Sequence, residues 1–229
     1  MPYDYLSLVN RVNRSLNEVE LTSANFLSAG GWHSHSKDAI NLAIKDINDK
    51  PVEWPFYFVE RELVLTPNQS RYPFPTDAKK IEFNTFRIRS DATLDNRTIS
   101  LFLMDYEDYL IKCSDMEYNP DDYAGMPTTV SKTNGLQFLL APPPAEAYRL
   151  IYEYYRVPAE LEAPDEVPLI PEAFRSVIMS GAMYYAYLFR EDEPAAEMAK
   201  AKFEDQVEDM RQTYINRTEY VRSTYIARI

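Results

Sequence analysis

The sequence predicts an α+β protein: a four-helix bundle formed by N- and C-terminal helices, with an inserted antiparallel β-sheet domain that is sandwich- or barrel-like. Three observations predict it. Two successive stretches near the C-terminus carry apolar residues at three- and four-residue steps. Two more such stretches lie near the N-terminus, and about a hundred residues between them alternate with the two-residue period of strands. Strands that cluster, rather than alternate with helices, argue against a parallel sheet. A pair of amphipathic helices also cannot bury both stripes alone, so the two chain ends are expected to meet over one interior.

In order, residues 5–19 read as a first helix with Leu6, Val9, Val12, Leu16 and Val19 as its stripe and Asp4 as N-cap. Ser7, three residues on, is not the usual capping-box partner. Residues 21–33 read as a loop, and Ser34 or Ser36 then caps a second helix that buries Ala39, Ile40, Ala43, Ile44 and Ile47. From Trp54 the period changes. Strands are expected in the runs that carry Phe56 and Phe58 and then Leu63 and Leu65, over 71–74, over 80–89 with one slip that marks a bulge, and over 98–103. Residues 90–96 form a polar turn, and residues 104–113 a short helix carrying Tyr106, Tyr109 and Leu110. Asn134-Gly135 between 128–132 and 136–140 is the clearest hairpin signal. A last strand, 148–157, puts Leu150, Tyr152 and Tyr154 on one face, and an acidic, proline-containing linker (161–168) leads to the helical hairpin. In that hairpin Phe174, Val177, Ile178, Gly181, Tyr185 and Leu188 form one stripe; Ala196, Ala199, Phe203, Val207, Met210 and Tyr214 form the other. Gly181 reads as a point of close helix–helix packing. The domain boundaries follow: 1–53 with 166–213 for the bundle, 54–165 for the inserted β domain, and 214–229 for a C-terminal tail.

The bulk properties narrow the function classes. A net charge of −12 opposes tight binding to nucleic acid phosphates. No apolar run approaches the roughly 20 residues that span a bilayer. The first residues lack the basic and apolar regions of a signal peptide. One cysteine, Cys113, excludes an internal disulfide and reads as a partly buried structural thiol. Eighteen tyrosines and sixteen prolines against five glycines suit ordered loops and subunit interfaces better than a phosphate-binding enzyme.

Candidate chemistry is thin. His33 and His35 form the only histidine pair, without a third ligand at a clear spacing, so no metal is expected. Asp105, Glu107 and Asp108 could serve a carboxylate hydrolase, but negative charge is also what the first turn of a helix favours. Glu191, Asp192 and Glu193 read as a polar interhelical turn. No nucleophile elbow, phosphate loop or dinucleotide fingerprint is present, and neither a catalytic set nor a cofactor is expected.

The C-terminal tail reverses the charge of the rest. Arg211, Arg217, Arg222 and Arg228 stand against Glu219, with Tyr214, Tyr220, Val221, Tyr225 and Ile226 as apolar anchors. Arginine and tyrosine together are the composition of a protein-binding hot spot.

Several stretches resemble phage head-to-tail connector proteins. They are Ile40-x-x-Ala43-Ile44-x-Asp46-Ile47-Asn48 followed by Trp54-Pro55-Phe56, and Val167-Pro168-x-Ile170-Pro171-Glu172-Ala173-Phe174. The aromatic run from Tyr184 through Asp192 and the Ala/Lys/Phe/Glu spacing of residues 195–214 complete the likeness. The whole is similar to the adaptor (gatekeeper, or tail tubular protein A-like) proteins of short-tailed bacteriophages. That resemblance implies a non-enzymatic virion protein of the neck and tail, present in the host cytoplasm during assembly. It implies a dodecameric ring between portal protein and tail nozzle protein, with tail fibres as a further contact. Genomic DNA would pass through the lumen without specific binding, and no membrane partner is implied. The tail, with Tyr214, Arg217, Tyr220, Arg222, Tyr225, Ile226 and Arg228, would bind the portal. The alternatives are a stopper or head-completion protein of a long-tailed phage and, from another class, a carboxylate- or metal-dependent soluble hydrolase.

Overall fold

The computed structural model describes residues 2–89 and 98–215. Two helices come first, α1 (Tyr5–Ser15) and α2 (Trp32–Asp49), followed by a 3-10 turn at Pro55–Tyr57. Five strands follow: β1 (Phe58–Val64), β2 (Arg71–Pro73), β3 (Ala78–Arg89), β4 (Thr98–Ser100) and β5 (Phe102–Met104). Short helices α3 (Tyr106–Lys112), α4 (Ser114–Tyr118) and α5 (Pro120–Tyr123) precede strands β6 (Thr129–Lys132), β7 (Gln137–Ala141) and β8 (Arg149–Arg156). A 3-10 turn at Glu172–Phe174 then leads into α6 (Arg175–Phe189) and α7 (Glu193–Ile215). The fold is α+β, and the chain divides into two compact units, Met1–Phe56 with Pro158–Ile229, and Tyr57–Val157.

In the helical unit α1 starts with a capping box. The Ser7 N–H donates to Asp4 Oδ1 (2.8 Å) and the Asp4 N–H to Ser7 Oγ (3.4 Å), so serine fills the place usually held by Glu or Gln. The buried face is Tyr5, Leu8, Val9, Val12 and Asn13, rotated from the stripe expected through Leu6 and Leu16. Tyr5 sets the rotation: its ring meets Phe26 edge-on at 5.1 Å and its hydroxyl donates to the Lys37 carbonyl. The helix also stops four residues short of the expected end, because Asn17 turns the chain at φ 63°, and Val19 lies exposed. Helix α2 starts earlier than either expected serine cap. Gly31, at φ 62°, precedes it, and Ser36 lies inside the helix with its hydroxyl on the His33 carbonyl. Its predicted core face is buried as expected.

Helix α6 is the centre of this unit. Val177 to Ala182 are buried in an unbroken run, which one stripe cannot explain. The reason is Gly181. A Cβ built on it would stand 2.8 Å from Ala43 Cβ on α2 and 2.9 Å from the Phe203 ring on α7, so the two neighbours close on the same bare point. Leu188, expected in the stripe, is exposed instead. Helix α7 buries Ala196, Phe203, Val207 and Met210, and Asp192 caps it by accepting the Ala195 N–H.

The two chain ends are also stitched by hydrogen bonds. The Tyr5 and Leu6 N–H groups, which no helical turn can satisfy, donate to the Glu166 and Pro164 carbonyls at 2.8 and 3.0 Å. Asn41 brackets the backbone of Leu161 as both donor and acceptor, and the Tyr3 hydroxyl donates to the Ile170 carbonyl. The stretch expected as a linker is thus a fixed part of the helical unit.

The strand unit holds two open four-stranded sheets, ordered β1-β8-β3-β4 and β2-β7-β6-β5, rather than a closed barrel. Every strand pair is antiparallel except β5 with β6. Leu150, Tyr152 and Tyr154 of β8, Phe86 and Ile88 of β3, and Phe138 and Leu140 of β7 share the core between the sheets. The bulge expected in β3 is present: pairing with β8 jumps between Glu82 and Arg87, and Thr85 Oγ1 accepts the Glu153 N–H in the gap. One departure concerns residues 98–103, which form two strands on different sheets around buried Leu101. A second concerns α3 and the residue that ends it: Tyr109 and Cys113, not Leu110, are buried, against Leu139 and Ala141. They cover the outer face of β7, which is why that strand is apolar on both sides. The polar turn expected at 90–96 lies outside the described residues.

Candidate functional site

Helix α7 ends on an aromatic footing. Tyr214 is half-buried, with its ring 5.4 Å from Phe174 and 5.8 Å, edge-on, from Phe56. Phe56 stacks in turn on Trp54, whose indole N–H donates to the Ile47 carbonyl at the end of α2. The last apolar step of the α7 stripe, Met210 to Tyr214, therefore rests on the two 3-10 turns that flank the strand unit and α6 in sequence. Of the seven residues expected to bind a portal, Tyr214 alone is described. Arg217, Tyr220, Arg222, Tyr225, Ile226 and Arg228 lie outside the described residues. The sequence marked Phe56, Phe174 and Tyr214 separately, but nothing local in it signals that they meet.

The face of α7 away from the core carries Glu197, Glu204, Asp205, Glu208 and Asp209, all exposed. Between α2, α6 and α7 lies a polar cleft of about 360 Å3 lined by Asp46, Asp49, Lys50, Lys200 and Glu204 with Tyr184 and Tyr185. There the Tyr185 hydroxyl donates to Asp46 Oδ2 at 2.6 Å. Burial, then the hydrogen bond and the charge of Asp46, push the Tyr185 hydroxyl well above its ordinary pKa, so it stays a neutral donor. A second groove of about 500 Å3, lined in part by Met179, Met183 and Met198, opens between α1, α6 and α7.

The other candidates resolve into local structure. His33 and His35 sit in the first turns of α2, not in a loop. His33 Nδ1 lies 3.4 Å from the buried Asn13 amide, which also accepts the Trp32 indole N–H, while His35 stacks on Phe189 at 3.6 Å. Arg190 caps this cluster over the Trp32 ring and pairs with Glu18. No cluster of three or more His, Cys, Asp or Glu suited to a metal occurs among the described residues. Asp105 precedes α3 without a side-chain cap bond, Glu107 and Asp108 occupy its first turn, and Asp108 pairs with Lys112 at 3.4 Å. Cys113 is buried, and burial pushes its thiol up despite the opposing pull of Lys112. That is the reverse of an activated nucleophile. Glu191, at φ 59°, and Asp192 shape the α6–α7 turn.

No helix among the described residues is long and apolar enough to cross a membrane. No curated protein matches the chain. A family model does, that of the SU10 adaptor protein, over residues 3–225. That span takes in the whole strand unit and all but the first two and last four residues of the helical unit, and the chain belongs to the SU10 adaptor protein family of phage adaptors.

Proposed function

We propose that the protein is a head-to-tail adaptor of a short-tailed phage virion. It forms a ring, a dodecamer, between the portal protein and the tail nozzle protein, and the ring encloses part of the DNA channel. Membership of a phage adaptor family implies contact with portal and tail components, a place at the virion neck and a structural role. The observation that carries the finer reading is the footing of α7. Tyr214, held between Phe56 and Phe174, anchors the end of α7, and residues 216–229 follow it directly in sequence. That segment, with Arg217, Tyr220, Arg222, Tyr225, Ile226 and Arg228, has the arginine–tyrosine composition that grips another subunit, here the portal. The acidic body fits a channel wall along which DNA slides without adhering, since like charge repels the phosphates. The strand unit would meet the nozzle or the tail fibres.

The test is a chain ending at Ile215, which keeps the Tyr214 footing. It should fold as the full chain does and fail to cap portal-bearing heads. A truncated chain that still joined heads to tails would overturn the role of the tail.

A further inference from the structure

The groove between α1, α6 and α7 has an unusual lining for this chain. Met179, Met183 and Met198 form its floor with Tyr187, and its charged residues among those described are Arg11 and Lys202. Met198 is 76% exposed. A cationic, methionine-lined recess on a chain of net charge −12 is a local reversal of sign. Thioether side chains are flexible and polarizable, and suit a surface that must take an apolar anchor.

Elsewhere on the same unit, residues 161–169 form a segment of the opposite character, termed the ridge for its exposed residues at 165–167 and 169. Glu166 and Pro164 accept the first N–H groups of α1, and the Glu166 carboxylate turns back to accept the Glu162 and Ala163 N–H groups at 2.6 and 3.2 Å. The backbone of the ridge is therefore fixed before any partner arrives. It exposes Asp165 and Glu166 beside Val167 (58% exposed) and Leu169 (39% exposed).

We propose that the groove receives the 165–169 ridge of a second copy of this chain, with Val167 among the methionines and Asp165 facing Lys202 and Arg11. Charge decides the occupant. The chain's own tail carries Arg217, Arg222 and Arg228 against Glu219 and would bring like charge to the groove. Groove and ridge are different patches of one surface, so the contact runs head to tail and each copy offers a free groove and a free ridge to the next. This rests on the adaptor-ring reading above and names the contact that builds the ring.

The experiment is disulfide trapping in the full chain with Met198→Cys and Val167→Cys together, at high protein concentration and on portal protein. Cys113 is buried, so its background is low. The expected result is a ladder of covalent multimers, with each single variant giving no ladder. As a second readout, Lys202→Glu should weaken assembly by about tenfold or more, because it sets like charges together, and Asp165→Lys in the same chain should restore it. A multimer that forms without the ladder, or a disulfide closed within one chain, overturns the groove contact and leaves the ring standing. A wild-type chain that stays monomeric with and without portal protein overturns both.

Discussion

In the helical unit three helices meet at a missing side chain, whereas the strand unit closes around a cluster of stacked aromatic rings. At Gly181, α2 and α7 approach α6 so closely that a single Cβ would meet Ala43 and Phe203 at once. Between the sheets, Phe86 stacks on Tyr152 at 4.7 Å and meets Phe138 edge-on at 5.2 Å, while Phe138 stacks with Tyr72. The two points are vulnerable in opposite senses: the ring cluster to lost volume, the Gly181 contact to added volume.

The comparison is most severely tested by truncating a central ring. Phe138→Ala should cost about 3–5 kcal/mol, the range for a fully buried phenylalanine, read by denaturant unfolding. A loss below about 1 kcal/mol would mean the sheets collapse onto the gap. Next comes Gly181→Val, expected to cost about 1–3 kcal/mol through overpacking. Pairing Gly181→Ala with Ala43→Gly should recover only part of what Gly181→Ala alone loses, because it removes the 2.8 Å contact but leaves the 2.9 Å one to Phe203 and adds a glycine to α2. No recovery would relocate the strain. Away from both cores, Asp4→Ala removes the carboxylate of the α1 capping box and should cost about 1 kcal/mol.

The smallest effect at neutral pH belongs to Tyr152. Burial pushes its hydroxyl from 10.0 up to about 12 in the folded chain, against a smaller pull from Arg61. The folded state keeps this proton after the unfolded state has lost it. Stability from this group is therefore intact below pH 10 and falls as pH rises through about 12. Tyr152→Phe should leave stability at pH 7 nearly unchanged and flatten the alkaline loss. An unchanged alkaline slope would place the effect elsewhere.

Much of this contrast was legible in the sequence. The Ala39–Ile47 face, the Phe203–Met210 stripe, the Asn134-Gly135 hairpin and the β8 face repeat at the period of their elements, and Gly181 stood out as a packing glycine. What the sequence hid was non-local. Met179, Ser180 and Ala182 fall outside any one stripe, because α6 is covered from two sides. Leu139 and Ala141 look redundant until α3 lies over them. Leu101 gives no sign that the chain changes sheets there. The α1 face rotated because Tyr5 found Phe26 and the Lys37 carbonyl, contacts no helical period encodes. Of the docking surface, the footing at Tyr214 emerged only from folding. The Arg11–Lys202 groove had no sequence signal, since its residues come from three helices.

The proposed role requires that this chain assemble as a ring on the portal and be held there by its tail. The most direct measurement is the native mass of the full chain and of the chain ending at Ile215, each alone and with portal protein. A complex of many copies with portal protein is expected for the full chain and none for the shortened one. A full chain that remains a single copy beside the portal, or a shortened chain that assembles on it equally well, would contradict it.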